Sequence, residues 1–494
     1  MKHIKRTKII ATIGPAVTGK LFTWDAFNNP ENAEKIKIAK RTIRELIESG
    51  VNVFRFNFSH GTHEEQSIRI KLVNEVSNEM NTNISLLLDT KGPEIRVAKI
   101  LDGGVDISSG SIVKIHSNNR DLVGNQNEFA VFASSDNYFI EKDVKVNDPI
   151  YIDDGKLEVT AKEINTAEHY IIAVAKNSHK LQGNKRINLP NADYSMDFVS
   201  NKEVEDVKFA IVNNFDYIAA SFVNTGDNVR EIRDLIKKFG GESIQIISKI
   251  ETMQSIKNLD EIINLSDSIM IARGDLGLEI PYYEVPYWEK YMIKSCRFQG
   301  KPVIVATQML DSLETKIQPT RAEVTDVFFA VERGADCTML SGETANGLYP
   351  VNAVNVMSTI NKKAEELFDY KRSYNVYFPN TEFSKKEYGN SIIEIARKLS
   401  PERDIENINF DYDAVIYFGN NKEKINALSN IRLSGSVIVI TDDEKLKRCF
   451  GIYYGVIVKY VSRLDNVLNN KDDMIEQIKK EFNFHKKILT IVEK

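Results

Sequence analysis

Residues 244–275 read IQIISKIETMQSIKNLDEIINLSDSIMIARGD. Two short β-rich runs, IQIISKIE from Ile244 and SIMIAR from Ser268, flank a helical stretch, and each ends in charge: Lys249 and Glu251 in the first, Arg273 and Asp275 after the second. Both runs are largely apolar up to those ends, as in strands of a parallel sheet covered on both faces. If they are neighbouring strands, their terminal charges emerge at the same edge of the sheet.

Six more runs of this kind lie on either side: TKIIATI from Thr7, VNVFRFNF from Val51, ISLLLD from Ile84, YIAASF from Tyr217, PVIVATQ from Pro302 and ADCTML from Ala335. Stretches such as Glu31–Ser49, Glu64–Met80, Val229–Phe239 and Tyr283–Phe298 carry apolar residues at helical i, i+3, i+4 spacing. Eight strands alternating with helices predict a (β/α)8 barrel, the TIM-barrel class of α/β folds, over residues 1–91 and 189–360. More than a hundred residues separate ISLLLD from YIAASF, where such loops usually run about 2–6. Within them VDISSGSIVKIH, DPIYID and YIIAVAK, with turns such as Asp154-Gly155, predict a small β domain inserted over 92–188, on the face where barrels keep their active sites. After a linker-like DYKRSYNVYFPNTEFSKKEYG, the runs AVIYF, SVIVI, VIVKY and ILTIV predict a C-terminal α/β domain over 361–494.

A chain of 494 residues is too long for one core at about 150 residues per domain. Its net charge of -5 gives no basic balance for nucleic acid or an anionic membrane, and no run is long and apolar enough for a span. The three cysteines, Cys296, Cys337 and Cys449, are far apart and form no CxxC, which fits reduced thiols in a cytoplasm and no zinc site. The basic N-terminus leading into TKIIATI reads as a first strand and not as a signal peptide.

Barrels of this class keep their chemistry at the C-terminal ends of the strands. There the chain places Arg55, Asn57, Ser59 and His60, then Asp89, Thr90 and Lys91, then Lys249 and Glu251, Arg273 to Asp275, Thr307, and Ser341 with Glu343. Alternation puts Arg55, Asn57 and Ser59 on one face and Phe54, Phe56 and Phe58 on the other. A solvated strand-end charge explains any one of these. Together they gather carboxylates suited to Mg2+ and cations suited to a phosphoryl group at one end of one barrel. The competing structural account is an internal salt-bridge network closing the barrel top. GPAVTGK (14–20) fits a phosphate-loop pattern except that Leu21 stands where the metal-binding Ser/Thr belongs, and Pro15 lacks an N–H. Arg273-Gly274-Asp275 mimics an adhesion tripeptide at the end of an apolar strand. No GxGxxG is present. His63 reads as a helix-start residue.

The stretches RTKIIATIGPA, GVNVFRFNFSHGTHE, LLLDTKGPEIR, IISKIET, IMIARGDLGLEIP, KPVIVATQMLDSL, PTRAEVTDV and GADCTMLSGETANGLYP closely resemble the pyruvate kinase family, in the family's order. The resemblance implies phosphoryl transfer from phosphoenolpyruvate to ADP, with Mg2+ (or Mn2+) and K+ as cofactors, in a cytoplasmic homotetramer. Carried over by position, Glu251 and Asp275 are the Mg2+ ligands, and Lys249 stabilises the phosphoryl group in flight and the enolate. Arg55 holds the phosphoryl group, while Gly274, Asp275 and Thr307 receive the carboxylate. Asn57, Ser59, Asp89 and Thr90 match the potassium site, and Glu94 matches the potassium-requiring form. Asn57, His60, Arg96 and Lys185 fall at the nucleotide. The inserted β-barrel domain is by the same resemblance a lid, and Asp154 either meets the site when the lid closes or is an ordinary Asp-Gly turn. The proton donor to the enolate is open among Thr307, Ser341 and Glu343 with water.

The chain departs from the family in three places. LFTWDAFNNPENAEKIKIAK inserts before the first helix, and Arg186 stands at a usual hinge glycine. Gly419-Asn-Asn-Lys-Glu-Lys also replaces a Ser/Thr-rich phosphate loop, so activation by fructose 1,6-bisphosphate is not expected. The rivals are an aldolase- or lyase-type barrel that also handles phosphoenolpyruvate or pyruvate, and a catalytically inert scaffold.

Overall fold

A computed structural model describes residues 4–134, 138–190, 192, 194–399 and 412–493. Met1–His3, at the head of the basic N-terminal stretch, and Lys494, the last residue of ILTIVEK, lie outside them. Strands β1 (Lys8–Thr12), β2 (Val53–Asn57) and β3 (Ser85–Asp89) open the main barrel. The chain then leaves it for β4 (Ile95–Val97), β5 (Val105–Ile107), β6 (Ile112–His116), β7 (Glu128–Ala133), β8 (Pro149–Ile152), β9 (Leu157–Asn165), β10 (Tyr170–Ala175), β11 (His179–Leu181) and β12 (Arg186–Asn188). It returns for β13 (Tyr217–Ala220), β14 (Gln245–Ile250), β15 (Ser268–Ala272), β16 (Val303–Ala306) and β17 (Cys337–Leu340). These eight strands close a parallel barrel in the order β1-β17-β16-β15-β14-β13-β3-β2, as the sequence predicted.

The period of two sorts the barrel strands into two faces. Ile9, Ala11, Phe54, Phe56, Leu86 and Leu88 pack outward under the helices. Ile10, Val53, Leu87, Ala219, Ile247 and Met270 point inward. Two residues on from these inward positions come Arg55, Asp89, Ser221 and Lys249, so the barrel's own parity delivers polar groups to its C-terminal mouth.

The inserted strands close a seven-stranded barrel, β10-β6-β7-β4-β12-β8-β9, with β5 and β11 paired beside it. VDISSGSIVKIH is two strands, because Gly110 turns the chain at φ +82° between them. Strands β18 (Tyr412–Phe418), β19 (Ser436–Thr441), β20 (Val456–Tyr460) and β21 (Lys487–Val492) form a parallel sheet in the order β20-β19-β18-β21. This domain sits under the barrel floor, where Tyr217 Oη and Gln245 Nε2 each donate to Cys449 O at 2.8 Å.

Two expectations change. The linker-like stretch 369–389 is a chain of short helices, Tyr370–Arg372, Ser373–Tyr377, Phe378–Asn380 and Glu382–Lys385. Tyr370, Tyr374 and Phe378 recur every four residues and are buried, an apolar stripe that the surrounding polar residues mask. In the insertion after β1, residues 33–40 already belong to the first long helix, Ala33–Ser49; two short helices, Trp24–Asn28 and Pro30–Asn32, take up most of the rest. The three cysteines are free and buried. Among the described residues no helix is long and apolar enough to cross a membrane.

Candidate active site

The site begins with the buried Arg55 on β2, whose Nε donates to Asp89 Oδ2 at 2.6 Å and whose Nη1 donates to Thr12 Oγ1 at 2.9 Å. Lys249 on β14 stands beside it. Its Nζ donates to Ser221 Oγ at 2.7 Å and Asp89 Oδ1 at 3.1 Å, and lies 3.0 Å from Glu251 Oε1. Burial opposes the lysine's charge, but Asp89, Glu251 and Asp275 outweigh it and raise its pKa, so it is a fixed cation. Asp89 is pushed upward by burial, yet Arg55 and Lys249 bring it below its usual range.

Glu251 and Asp275 lie close enough that each perturbs the other's titration. Burial, and next the neighbouring Asp275, push Glu251 up to about 7, while Arg186 and Lys249 overcome burial and hold Asp275 low. One oxygen of Glu251 accepts from Phe222 N at 2.6 Å. Two carboxylates held together in this way suit a divalent cation with few protein ligands. Among the described residues no group of three or more His, Cys, Asp or Glu side chains forms a closed metal cage.

These groups border a cavity of about 460 Å³. The barrel contributes Arg55, Asn57, Ser59, His60, Asp89 and Glu251, with Lys249 and Asp275. The inserted domain contributes Arg96, Asp154, Lys185 and Arg186. A purely structural salt-bridge cap does not account for that space. Arg96 is fixed by Glu94 through Nε at 2.9 Å and Nη2 at 3.2 Å, and Lys185 lies 3.0 Å from Asp153. Asp153, Asp154 and Gly155 all have positive φ, so the Asp-Gly turn is real and also presents Asp154 to the cavity. Burial and the nearby Arg96 lower the pKa of His60.

Other expected residues stand outside the cavity wall. Thr90 lies beneath it, with its carbonyl accepting from Ser221 Oγ at 2.7 Å. Thr307 and Gln308 adopt left-handed backbone, φ +69° and +53°, costly for a β-branched residue. Arg273, held by Glu289 and Asp326, pins this turn by donating to Thr307 O at 2.9 Å. Within the Arg-Gly-Asp tripeptide Arg273 is thus buried, while Gly274 and Asp275 are half-buried. Thr307 Oγ1 accepts from Gly274 N at 2.7 Å at the start of helix Arg273–Glu279. Glu343 accepts from Ser341 N at 2.7 Å and Leu310 N at 3.2 Å, while Ser341 Oγ is buried without a partner. In the phosphate-loop look-alike, a Cβ on Gly14 would lie 2.5 Å from Ala345 O, so this loop is packed against protein and offers no cradle.

The family model described as pyruvate kinase, barrel domain, matches residues 4–354. The chain belongs to the pyruvate kinase family. It is 49% identical over 455 residues to a pyruvate kinase of Mycoplasma pneumoniae, covering 92% of this chain and 89% of the relative. To that of Mycoplasma genitalium it is 46% identical over 484 residues, 98% and 95% of the two chains. Its structure matches a pyruvate kinase from Cryptosporidium parvum with a TM-score of 0.85 at 31% identity, covering 99% of this chain and 93% of that one.

Within this pyruvate kinase barrel, sequence reasoning passed over Ser221 and Phe222. Ser221 bonds Lys249 and caps Thr90, and Phe222, at φ +58°, turns its N–H onto Glu251. The signal for Ser221 was present: YIAASF, like TKIIATI, had no terminal polar residue assigned, and its inward parity falls on the serine.

Proposed function

We propose that this chain transfers the phosphoryl group of phosphoenolpyruvate to ADP, giving ATP and pyruvate in the last step of glycolysis. The observation that carries this reading is the convergence of two buried cations, Arg55 and Lys249, with the Glu251–Asp275 pair on one cavity. Glu251 and Asp275 would hold Mg2+ or Mn2+, leaving its other positions to water and substrate. Bound there, the ion supplies positive charge to the phosphoryl oxygens. Lys249 keeps its charge where negative charge develops on the transferred group and the enolate. Arg55, oriented by Asp89 and Thr12, holds the phosphoryl group. The substrate carboxylate takes the start of helix Arg273–Glu279, replacing the Thr307 hydroxyl on Gly274 N.

Asn57, Ser59, Asp89 and the Thr90 carbonyl are assigned to K+, with Glu94 as the acidic residue of the potassium-requiring form. The Thr90 carbonyl's second lone pair is available beside Ser221. His60, Asn57, Arg96 and Lys185 are assigned to the nucleotide, supported by their position on the cavity rim. The inserted domain, taken as 92–188 between barrel segments 1–91 and 189–360, acts as a lid that excludes water. Both oxygens of Glu343 are engaged by backbone N–H groups, which makes it a brace. The final proton is then relayed through the hydroxyls of Thr307 and Ser341.

The C-terminal domain, 361–494, is read as unresponsive to fructose 1,6-bisphosphate. Where a phosphate would sit at the start of helix Lys422–Asn430, Glu493 Oε2 already accepts from Asn420 N and Asn421 N, each at 3.0 Å. A cytoplasmic homotetramer completes the proposal, and the exposed Tyr282, Tyr283, Tyr287 and Tyr291 give an aromatic surface for self-association. The deciding experiment mixes protein, phosphoenolpyruvate, ADP and Mg2+ with and without K+. ATP and pyruvate should form together and faster with K+. Pyruvate without ATP, or neither, sinks the reading and favours a lyase or an inert scaffold.

A further inference from the structure

Strand β12 carries Arg186 and Asn188 two residues apart, hence on one side of the strand. Helix Arg273–Glu279 carries Asp275 and Glu279 four residues apart, hence on one side of the helix. The two pairs meet across the domains. Arg186 Nη1 donates to Asp275 Oδ1, and Asn188 Nδ2 donates to Glu279 Oε1 at 3.3 Å. Gly155 also approaches the same helix, closely enough that an added Cβ would lie 3.2 Å from Leu278 Cδ2.

Arg186 is built in for this contact. Its guanidinium lies 4.6 Å from the centroid of the Phe222 ring, and its Nη2 is buried with no partner. Burial works against its charge, but Asp275, Glu94 and Glu251 outweigh that and raise its pKa. At the heart of the site Arg55, Lys249 and Arg186 face Asp89, Glu251 and Asp275, and Arg186 is the cation of these three that the inserted domain carries. A divalent ion bound by Asp275 competes for the carboxylate that Arg186 holds, and an arginine beside that ion is repelled.

We propose that Arg186 is an internal stand-in for the divalent cation, latching the inserted domain onto the barrel through Asp275 until the ion displaces it. The inference rests on the reading of Glu251 and Asp275 as metal ligands. Metal arrival and release of the lid are then one event, and every metal-free molecule held by the latch lowers the apparent affinity for the ion.

The test uses full-length protein without substrate or nucleotide and takes Mn2+ as the probe, its binding followed by calorimetry and by the resonance of free Mn2+. A fluorophore pair on Ser109→Cys in the lid and Asp260→Cys on the barrel reports their separation, both positions being exposed and the native cysteines buried. Arg186→Gly and Arg186→Gln should each bind Mn2+ about tenfold more tightly, corresponding to a latch closed in about nine of ten molecules. Their metal-free energy transfer should fall to the level that wild type reaches only with Mn2+. Arg186→Lys, which keeps the charge, should stay nearer wild type. Unchanged affinity and transfer in both neutral variants overturn the latch. Weaker Mn2+ binding overturns it as well, because it makes Arg186 a support for the ligands. If Asp275→Asn binds Mn2+ as well as wild type, the metal reading itself fails, whereas loss of binding in that variant with no effect at Arg186 rejects the latch alone.

Discussion

At the barrel mouth the carboxylate of Asp275 is met by Arg186, carried on the inserted domain. At the loop after β18 the N–H groups of Asn420 and Asn421 are met by Glu493, carried one residue beyond β21. Both places present a polar seat at the end of a parallel strand, and both are filled by the chain itself. The supports differ. β12 is a three-residue strand bonded only to β4 and β8 of its own domain, so Arg186 can withdraw with that domain. β21 pairs with β18 along its six residues, with one register shift between Tyr412 and Ala414, and Tyr417 Oη and Lys424 Nζ also hold the Glu493 carboxylate. Glu493 is thus anchored by the strand it follows and by four donors at its carboxylate. The same device therefore gives an exchangeable counter-ion at the mouth and a permanent plug in the C-terminal domain.

The largest effect should come from breaking the exchangeable seat. Asp275→Asn removes a proposed metal ligand and the partner of Arg186 together. It should lower kcat/KM on the order of 10³-fold in a coupled assay and abolish tight Mn2+ binding. A loss of less than about tenfold would place the metal elsewhere. The Arg186 variants come next, with their tenfold gain in Mn2+ affinity. Smallest is the plug. Glu493→Ala leaves several donors without their acceptor and should cost about 1–2 kcal/mol in urea denaturation. Steady-state rates with saturating fructose 1,6-bisphosphate should be unchanged in wild type. An activation in wild type that Glu493→Ala removes would invert the contrast between the two seats.

Most of the architecture was legible because a parallel barrel writes each strand as an apolar run with its chemistry at the end. Lys249, Glu251 and Asp275 could be placed together from that rule alone. Five lid strands went unread: β4, β11 and β12 have three residues each, too few for alternation to declare itself, and the longer β7 and β9 were missed as well. The stretch 369–389 misled because its buried Tyr370, Tyr374 and Phe378 are spaced among charged residues. The contact of Arg186 with Asp275 joins positions 89 apart and exists only once two domains meet. Glu493 reaches its loop only because the last strand inserts beside β18, an order that local pattern does not encode.

Lys249 is a buried, fixed cation between Ser221, Asp89 and Glu251, and the proposed chemistry turns on it. The direct measurement is turnover of Lys249→Met with phosphoenolpyruvate and ADP, alongside equilibrium binding of phosphoenolpyruvate to the same protein. Turnover should fall on the order of 10²–10³-fold while binding changes little, the pattern of a contact made in the transition state. Near-normal turnover would contradict a role for Lys249 in the chemistry.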